Sequence, residues 1–339
     1  MKLGLGLTAE LFDDEHLALA RQLGCESVVA WVPLPAGDGI WTYDDLSALV
    51  KKANRHELEL AAVENPHPAH WDKILLGEDG RDEQIEKMQQ TIINMGKAGI
   101  PCFGYNFSIV GVWGYWQERE NKAGRGGSGI KSFDISKVPE QTRPNNQHVW
   151  FNTVLEHRSP EGLIPAVDMD EFFERHCYFV SKLLPVAEKA GVKLAIHPED
   201  PPVPQLRGMA RPFSSVEYFN KIFELFPSEY LCAEFCQGTF SEMENTDIYE
   251  VIKSFAGRGK IGYVHFRNVR GQIPSYDEVF IDDGYVDMYK ALKIYYDCGY
   301  EGTIIPDHTP VVSSKAPRDT GMAYALGYIR ALMQVIEGR

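Results

Sequence analysis

The sequence predicts a closed (β/α)8 barrel with a long insertion after its fourth strand. Strand-like and helix-like runs alternate eight times over 339 residues, which is the pattern of βα units in a parallel sheet. Four of the strand-like runs end in metal-ligand residue types, as a barrel that gathers its active site at the C-terminal ends of its strands requires. One connection, 108–169, is far longer than the others. The chain length suits one large barrel, so residues 1–339 are read as a single domain with 108–169 inserted in it.

Strands are expected over 2–7, 27–32, 57–63, 101–107, 193–197, 230–236, 261–267 and 302–307, and helices over 13–23, 43–55, 81–98, 170–189, 215–226, 246–256, 286–297 and 322–337. The first strand carries Gly4 and Gly6 but no third glycine of a dinucleotide loop, which disfavours an open doubly wound sheet. Gly24, Gly99, Gly191 and Gly299 follow helical runs at positions where a positive φ ends a helix. In the fourth helix Phe173, Cys177, Val180, Leu184 and Val186 roughly follow the 3.6-residue period of a buried stripe. Ser214 stands three residues before Glu217, the spacing of a capping box at the fifth helix. The insertion carries Trp113, Tyr115, Trp116 and Trp150 around a glycine-rich run, Gly124 to Gly129, and is read as a lid or subunit-contact segment.

Composition excludes several classes of function. A net charge of −14 repels phosphate backbones and anionic membranes, so neither nucleic acid nor a membrane surface is expected as a partner. No apolar run approaches the ~18 residues of a membrane span, and the N-terminus lacks a signal-peptide pattern, so a cytoplasmic protein is expected. Six scattered cysteines suit buried free thiols rather than a disulfide framework. The aromatic insertion suggests a homo-oligomer.

Because alternate strand residues face the same side, Cys232, Glu234 and Cys236 point into the barrel, as do Tyr263 with His265 and Ile305 with Asp307. His197, Cys236, His265 and Asp307 then converge on one rim. Two imidazoles, a thiolate and a carboxylate form a donor set suited to Mn²⁺, Fe²⁺, Co²⁺ or Zn²⁺, with Glu199 or Glu234 as alternatives to Cys236. Each residue also has a plain structural reading: a hydrogen-bonded histidine, a small buried thiol, a turn-capping aspartate. His308 follows the candidate ligand Asp307 and is either a proton donor or acceptor or a structural histidine. Arg267, beside Asn268, either grips a substrate carboxylate or pairs with a neighbouring acid. His70 either touches substrate or sits exposed in its loop.

Glu64 to His70, Gly104-Tyr105-Asn106-Phe107, His197-Pro198, Cys236-Gln237-Gly238, Val264 to Val269, Val279 to Gly284 with Asp287-Met288, and Pro306-Asp307-His308 together resemble the mannonate dehydratase family. The resemblance implies a xylose-isomerase-like TIM barrel that converts D-mannonate to 2-keto-3-deoxy-D-gluconate and water with Mn²⁺ or Fe²⁺. It implies His197, Cys236, His265 and Asp307 as ligands, and His308, Arg267 and Tyr324 as catalytic residues. Asn106, His70, Arg267, Asn268 and Asp283 are the implied substrate contacts. The chain departs from the pattern in Leu3-Gly4-Leu5-Gly6, in Thr309, and around Met322 and Tyr324. A metal-dependent isomerase or epimerase of a keto-sugar, and a non-catalytic sugar-binding protein, are the rival readings.

Overall fold

The computed structural model describes residues 1–113, 121–138, 149–151 and 164–339. Eight parallel strands, β1 (Lys2–Thr8), β2 (Ser27–Trp31), β3 (Glu59–Glu64), β4 (Cys102–Tyr105), β5 (Lys193–Ile196), β6 (Leu231–Cys236), β7 (Ile261–His265) and β8 (Thr303–Ile305), pair in sequence order. β8 pairs back onto β1 through Lys2↔Thr303 and Leu3↔Ile304, and so closes the expected barrel. The helices that follow are α1 (Asp14–Gln22), α2 (Tyr43–Arg55), α3 (Arg81–Ala98), α4 (Met169–Ala190), α5 (Val216–Leu225), α6 (Ile248–Gly257), α7 (Met288–Asp297) and α8 (Pro317–Ile336).

Local chemistry explains the helix boundaries. The side chains of Asp13, Thr42, Asp168, Asp247 and Asp287 accept hydrogen bonds from backbone N–H groups of the turns they begin, each contributing about 1 kcal/mol. Gly24, Gly99, Gly191 and Gly299 all adopt the left-handed φ expected of them. Ser214 does not cap α5: it lies in a 3₁₀ turn, Pro212–Ser214, and the N-cap position falls to Ser215, whose side chain makes no cap bond. The buried face of α4 is Phe172, Phe173, His176, Phe179, Val180, Leu183, Leu184 and Ala187, so Cys177 and Val186 flank the stripe rather than form it.

α8 starts five residues earlier than expected. Pro317 occupies the first turn, where a missing N–H costs nothing, and Gly321 lies within the helix because a Cβ there would collide with Thr309. Gly321, Met322, Ala325, Leu326, Ile329 and Met333 form the helix's buried face, and Tyr324 faces outward.

Inside the barrel, Val29, Ala62, Cys102, Ala195, Cys232, Tyr263 and Ile305 form an apolar plug. Gly4 belongs to the same tight interior, since a Cβ would lie 2.6 Å from Thr303 Cγ2 and 2.8 Å from Ser27 Oγ. This packing accounts for a glycine strand at the N-terminus.

The described part of the insertion is built onto the mouth of the barrel. Beyond β7 the chain forms a hairpin, Asn268–Gln272 with Ser275–Val279, and Ser132–Asp134 of the insertion adds a third antiparallel strand to it. Gly129 pairs with Val311 on the other side. Arg125 donates to both carboxylate oxygens of Asp282 at 2.7 and 3.1 Å and lies 4.6 Å above the Phe280 ring. Tyr115 and Trp116, on which the subunit-contact reading rests, lie outside the described residues. Trp113 and Trp150 fall in short paired strands described by their backbone.

Candidate metal centre and its cavity

Consecutive strands deliver three soft or borderline donors to one level of the rim. Cys236 ends β6 in register with His265 at the end of β7, and His197 follows β5, its N–H bonded to Tyr105 O at 2.9 Å. One donor atom from each of His197, Cys236 and His265 lies within 4.8 Å of the others. His197 Nδ1 is 2.6 Å from Pro198 O, a bond that places the proton on Nδ1 and leaves Nε2 as the donor.

Asp307 stands at the edge of this triad. Its Oδ1 is 3.6 Å from His265 Nδ1, while its Oδ2 lies 3.2 Å from Arg267 Nε and 3.3 Å from His308 Nε2. Its φ of 66° is a left-handed conformation uncommon for a non-glycine residue. Asn65 (57°) and Val32 (45°) share that conformation, each directly after a barrel strand. Of the alternative ligands, Glu199 is held 3.0 Å from buried Arg211, and Glu234 sits deeper, 3.3 Å from His265 Nε2 and 4.0 Å from His197 Nε2. Glu64, which sequence reasoning treated only as part of a loop, joins Glu234 and His265 in a second close group.

The electrostatics suit a cation. Burial alone would push the Cys236 thiol up, but Arg267 and the two imidazoles outweigh it and bring it down to about 5. Burial would likewise push His197 down, yet Glu234 and Cys236 raise it to about 9. Burial, reinforced by Glu64, drives Glu234 well above the usual carboxylate range. Both ring nitrogens of His265 and both carboxylate oxygens of Glu234 are buried without a well-aligned hydrogen bond among the described residues. A divalent transition metal satisfies such a set, because it binds thiolate and imidazole together and offsets buried negative charge.

The remaining candidates are placed differently from their expected roles. Arg267 is 4% exposed, and its guanidinium meets Glu242 at 2.6 Å, Asp200 at 2.9 Å, Asp307 at 3.2 Å and Glu278 at 3.4 Å. It is a counter-ion at the centre of four carboxylates rather than a free clamp. Asn268 donates to Ile281 O and Val286 O and accepts from Val269 N and Val286 N, so it fixes the loop after the hairpin instead of facing substrate. Asp283 pairs with Arg270 on the surface, 3.2 Å away. His70 is buried, bonded through Nε2 to Ala36 O and packed edge-on to Trp41. The Tyr324 hydroxyl accepts from Arg125 at 3.4 Å, 43% exposed at the rim. Asn106 stays near the centre, with Nδ2 3.4 Å from both His197 Nδ1 and Pro198 O.

A cavity of about 330 Å³ adjoins the centre, walled by Glu64, His265, Asp307 and His308, by Trp31 and Thr8 from neighbouring strands, and by Met322 of α8. His308 is fixed there by a 2.9 Å contact between Nδ1 and Glu278 Oε2. Two cations on the wall escaped sequence reasoning: Lys131 of the insertion and Arg318 at the start of α8. Neither belongs to a periodic or motif-like segment, so nothing local marks them.

The sequence model of the D-mannonate dehydratase family (UxuA) matches residues 8–338. The chain belongs to this family. Mannonate dehydratase of Thermotoga maritima is 31% identical over 359 residues, covering 99% of this chain and 98% of its own. Mannonate dehydratase 2 of Halalkalibacterium halodurans is 30% identical over 327 residues, covering 94% and 93%. Among solved structures, mannonate dehydratase from Streptococcus suis serotype 2 aligns with a TM-score of 0.84 at 24% identity, over 99% of this chain and 93% of that one. An L-ribulose 3-epimerase shares the barrel at a TM-score of 0.59 and 14% identity, a likeness of fold. The mannonate dehydratase family is a hydro-lyase family, and among the described residues no helix is long and apolar enough to cross a membrane.

Proposed function

We propose that this chain removes water from a sugar acid, D-mannonate, to give 2-keto-3-deoxy-D-gluconate, with Mn²⁺ or Fe²⁺ bound by His197, Cys236 and His265 and flanked by Asp307. The observation that carries the reading is the meeting of these three donors within 4.8 Å, beside a cavity walled by His308. Dehydration breaks the C2–H and C3–O bonds, returns a proton to the departing hydroxyl and leaves an enol that tautomerises to the 2-keto acid. A divalent cation at these donors supplies Lewis acidity to the acid's oxygens and so eases loss of the C2 proton.

The protein's own groups divide the remaining work. His308, oriented by Glu278, presents the imidazole that moves a proton between substrate and protein. Arg267 and His308 together hold Asp307 beside His265. Trp31 and Met322 line the cavity with apolar surface, which strengthens the electrostatic interactions within it.

Metal-loaded protein incubated with D-mannonate is expected to form a 2-keto-3-deoxy acid. A panel of aldonates that yields no such product removes the reading. Solvent deuterium incorporated without loss of water would instead assign an epimerase.

A further inference from the structure

We propose that Glu64, Glu234 and His265 hold a second divalent cation, Mn²⁺ by the hardness of the donors, beside and beneath the ion assigned to His197, Cys236 and His265. The claim concerns metal binding alone and stands whatever reaction the rim performs. Glu64 ends β3, Glu234 lies two residues before the end of β6 and His265 ends β7, so three separate strands bring donors to one point. One donor atom from each lies within 4.8 Å of the others.

The spacing is that of a coordination shell. His265 Nε2 stands 3.3 Å from Glu234 Oε1 and 3.4 Å from Glu64 Oε2. Donors that share a cation at about 2.1–2.2 Å stand roughly 3.0–3.6 Å apart, from right-angled to tetrahedral arrangements. These contacts are also short enough for hydrogen bonds, yet neither nitrogen of His265 and neither oxygen of Glu234 has a well-aligned one among the described residues. An N–H seeks one oxygen on its own axis, whereas a cation on that axis holds both oxygens to either side of it. The other nitrogen of the ring, Nδ1, faces Asp307 at 3.6 Å, so His265 can serve two ions with one nitrogen each.

Burial sharpens the need for a positive partner. Glu64, Glu234 and His265 are 5%, 0% and 3% exposed, and two carboxylates that face each other out of solvent repel strongly. Arg267 already serves Asp200, Glu242, Glu278 and Asp307. Asn65 Nδ2 donates to Glu64 Oε1 at 3.2 Å and leaves Oε2 turned to His265. Gly104 of β4 makes the room, since a Cβ there would collide with Tyr263 Oη and Glu234 Oε2. Two carboxylates and an imidazole without sulfur form a harder set than the thiolate and imidazoles of the rim, which favours Mn²⁺. An ion can reach them, because Glu64 and His265 line both the main cavity and the small adjoining space beside His197 and Asn106.

The test strips the full chain with a chelator, reloads it with Mn²⁺ and counts ions per chain by elemental analysis, with electron paramagnetic resonance on the same samples. Wild type is expected to hold two Mn²⁺ per chain and to show the broadened spectrum of neighbouring ions. Glu234→Gln and Glu64→Gln, which keep the side-chain shape, should each retain one. Cys236→Ala, which spares the deeper group, should also retain one, and all three variants should show the sharper spectrum of an isolated ion. If Glu234→Gln does not fold, Glu64→Gln carries the same comparison. A single ion in saturated wild type, which would leave a proton shared between the two carboxylates, overturns the proposal, and so do two ions or none in both glutamine variants. Two ions without keto-acid formation from D-mannonate sustain the proposal while removing the dehydratase reading, whereas keto-acid formation by a one-ion protein does the reverse.

Discussion

Cys232 and Cys236 lie four residues apart on β6 and point the same way, yet their surroundings give them opposite chemistry. Cys232 sits in the apolar plug, where burial pushes its thiol up to about 12. Cys236 is as deeply buried, but Arg267 and two imidazoles bring it down to about 5. Burial alone therefore does not decide ionisation; the charges that share the burial do. The same contrast divides the two ends of the barrel interior. The plug is small, apolar and regular, while the rim concentrates buried carboxylates, imidazoles and three left-handed non-glycine residues, each costing about 1–3 kcal/mol. Rigid staves below hold a strained, charged constellation above.

The sharpest way to break this contrast is to remove a rim donor. His265→Ala should lose its metal on dialysis, read by elemental analysis, and lose turnover by about 10³-fold, the several kcal/mol that a Lewis acid supplies. His308→Asn should keep its metal while kcat falls by about 10²–10⁴-fold. Should both variants lose metal equally, His308 belongs to the ligand set and not to proton transfer.

Arg267→Met leaves buried Asp200, Glu242 and Glu278 without their shared counter-ion and should cost about 3–5 kcal/mol in a denaturant titration. A loss below about 1 kcal/mol, the range of exposed pairs, would mean that the cluster is solvated. In metal-free protein the Cys236 value of about 5 lies below its ordinary 9.0. The fold therefore favours the thiolate, an advantage fully present above pH 9.0 and lost as the pH falls through about 5. Thiolate absorbance should show that transition in wild type and Cys232→Ala and lack it in Cys236→Ala. The smallest effect is expected of Cys232→Ala itself, about 1 kcal/mol of stability with metal content and turnover unchanged.

The barrel was legible because its signals are local. Strand alternation, C′ glycines and strand-end ligand types can each be read within a few residues, and together they bring His197, Cys236 and His265 to one level. The roles that escaped depend on distant chain. Arg267 looks like a free guanidinium until residues 200, 242, 278 and 307 are folded around it. Asn268 looks like a rim contact until the loop after the hairpin returns to take its hydrogen bonds. Tyr324 looks like a hydroxyl for the cavity until α8 packs with Met322 inward and leaves the tyrosine at the rim beside Arg125. Lys131 reaches the cavity only through pairing across a hairpin nearly 150 residues later in the chain, at Ser275 to Asp277.

That pairing divides the labour between two sheets. The candidate metal donors stand at or just beyond the ends of barrel strands, while Lys131 on the cavity wall immediately precedes an added strand joined edgewise to a hairpin. Residues 132–134 thus reach the mouth without pairing with any barrel strand, so the wall of the cavity and the floor beneath it are built by separate sheets.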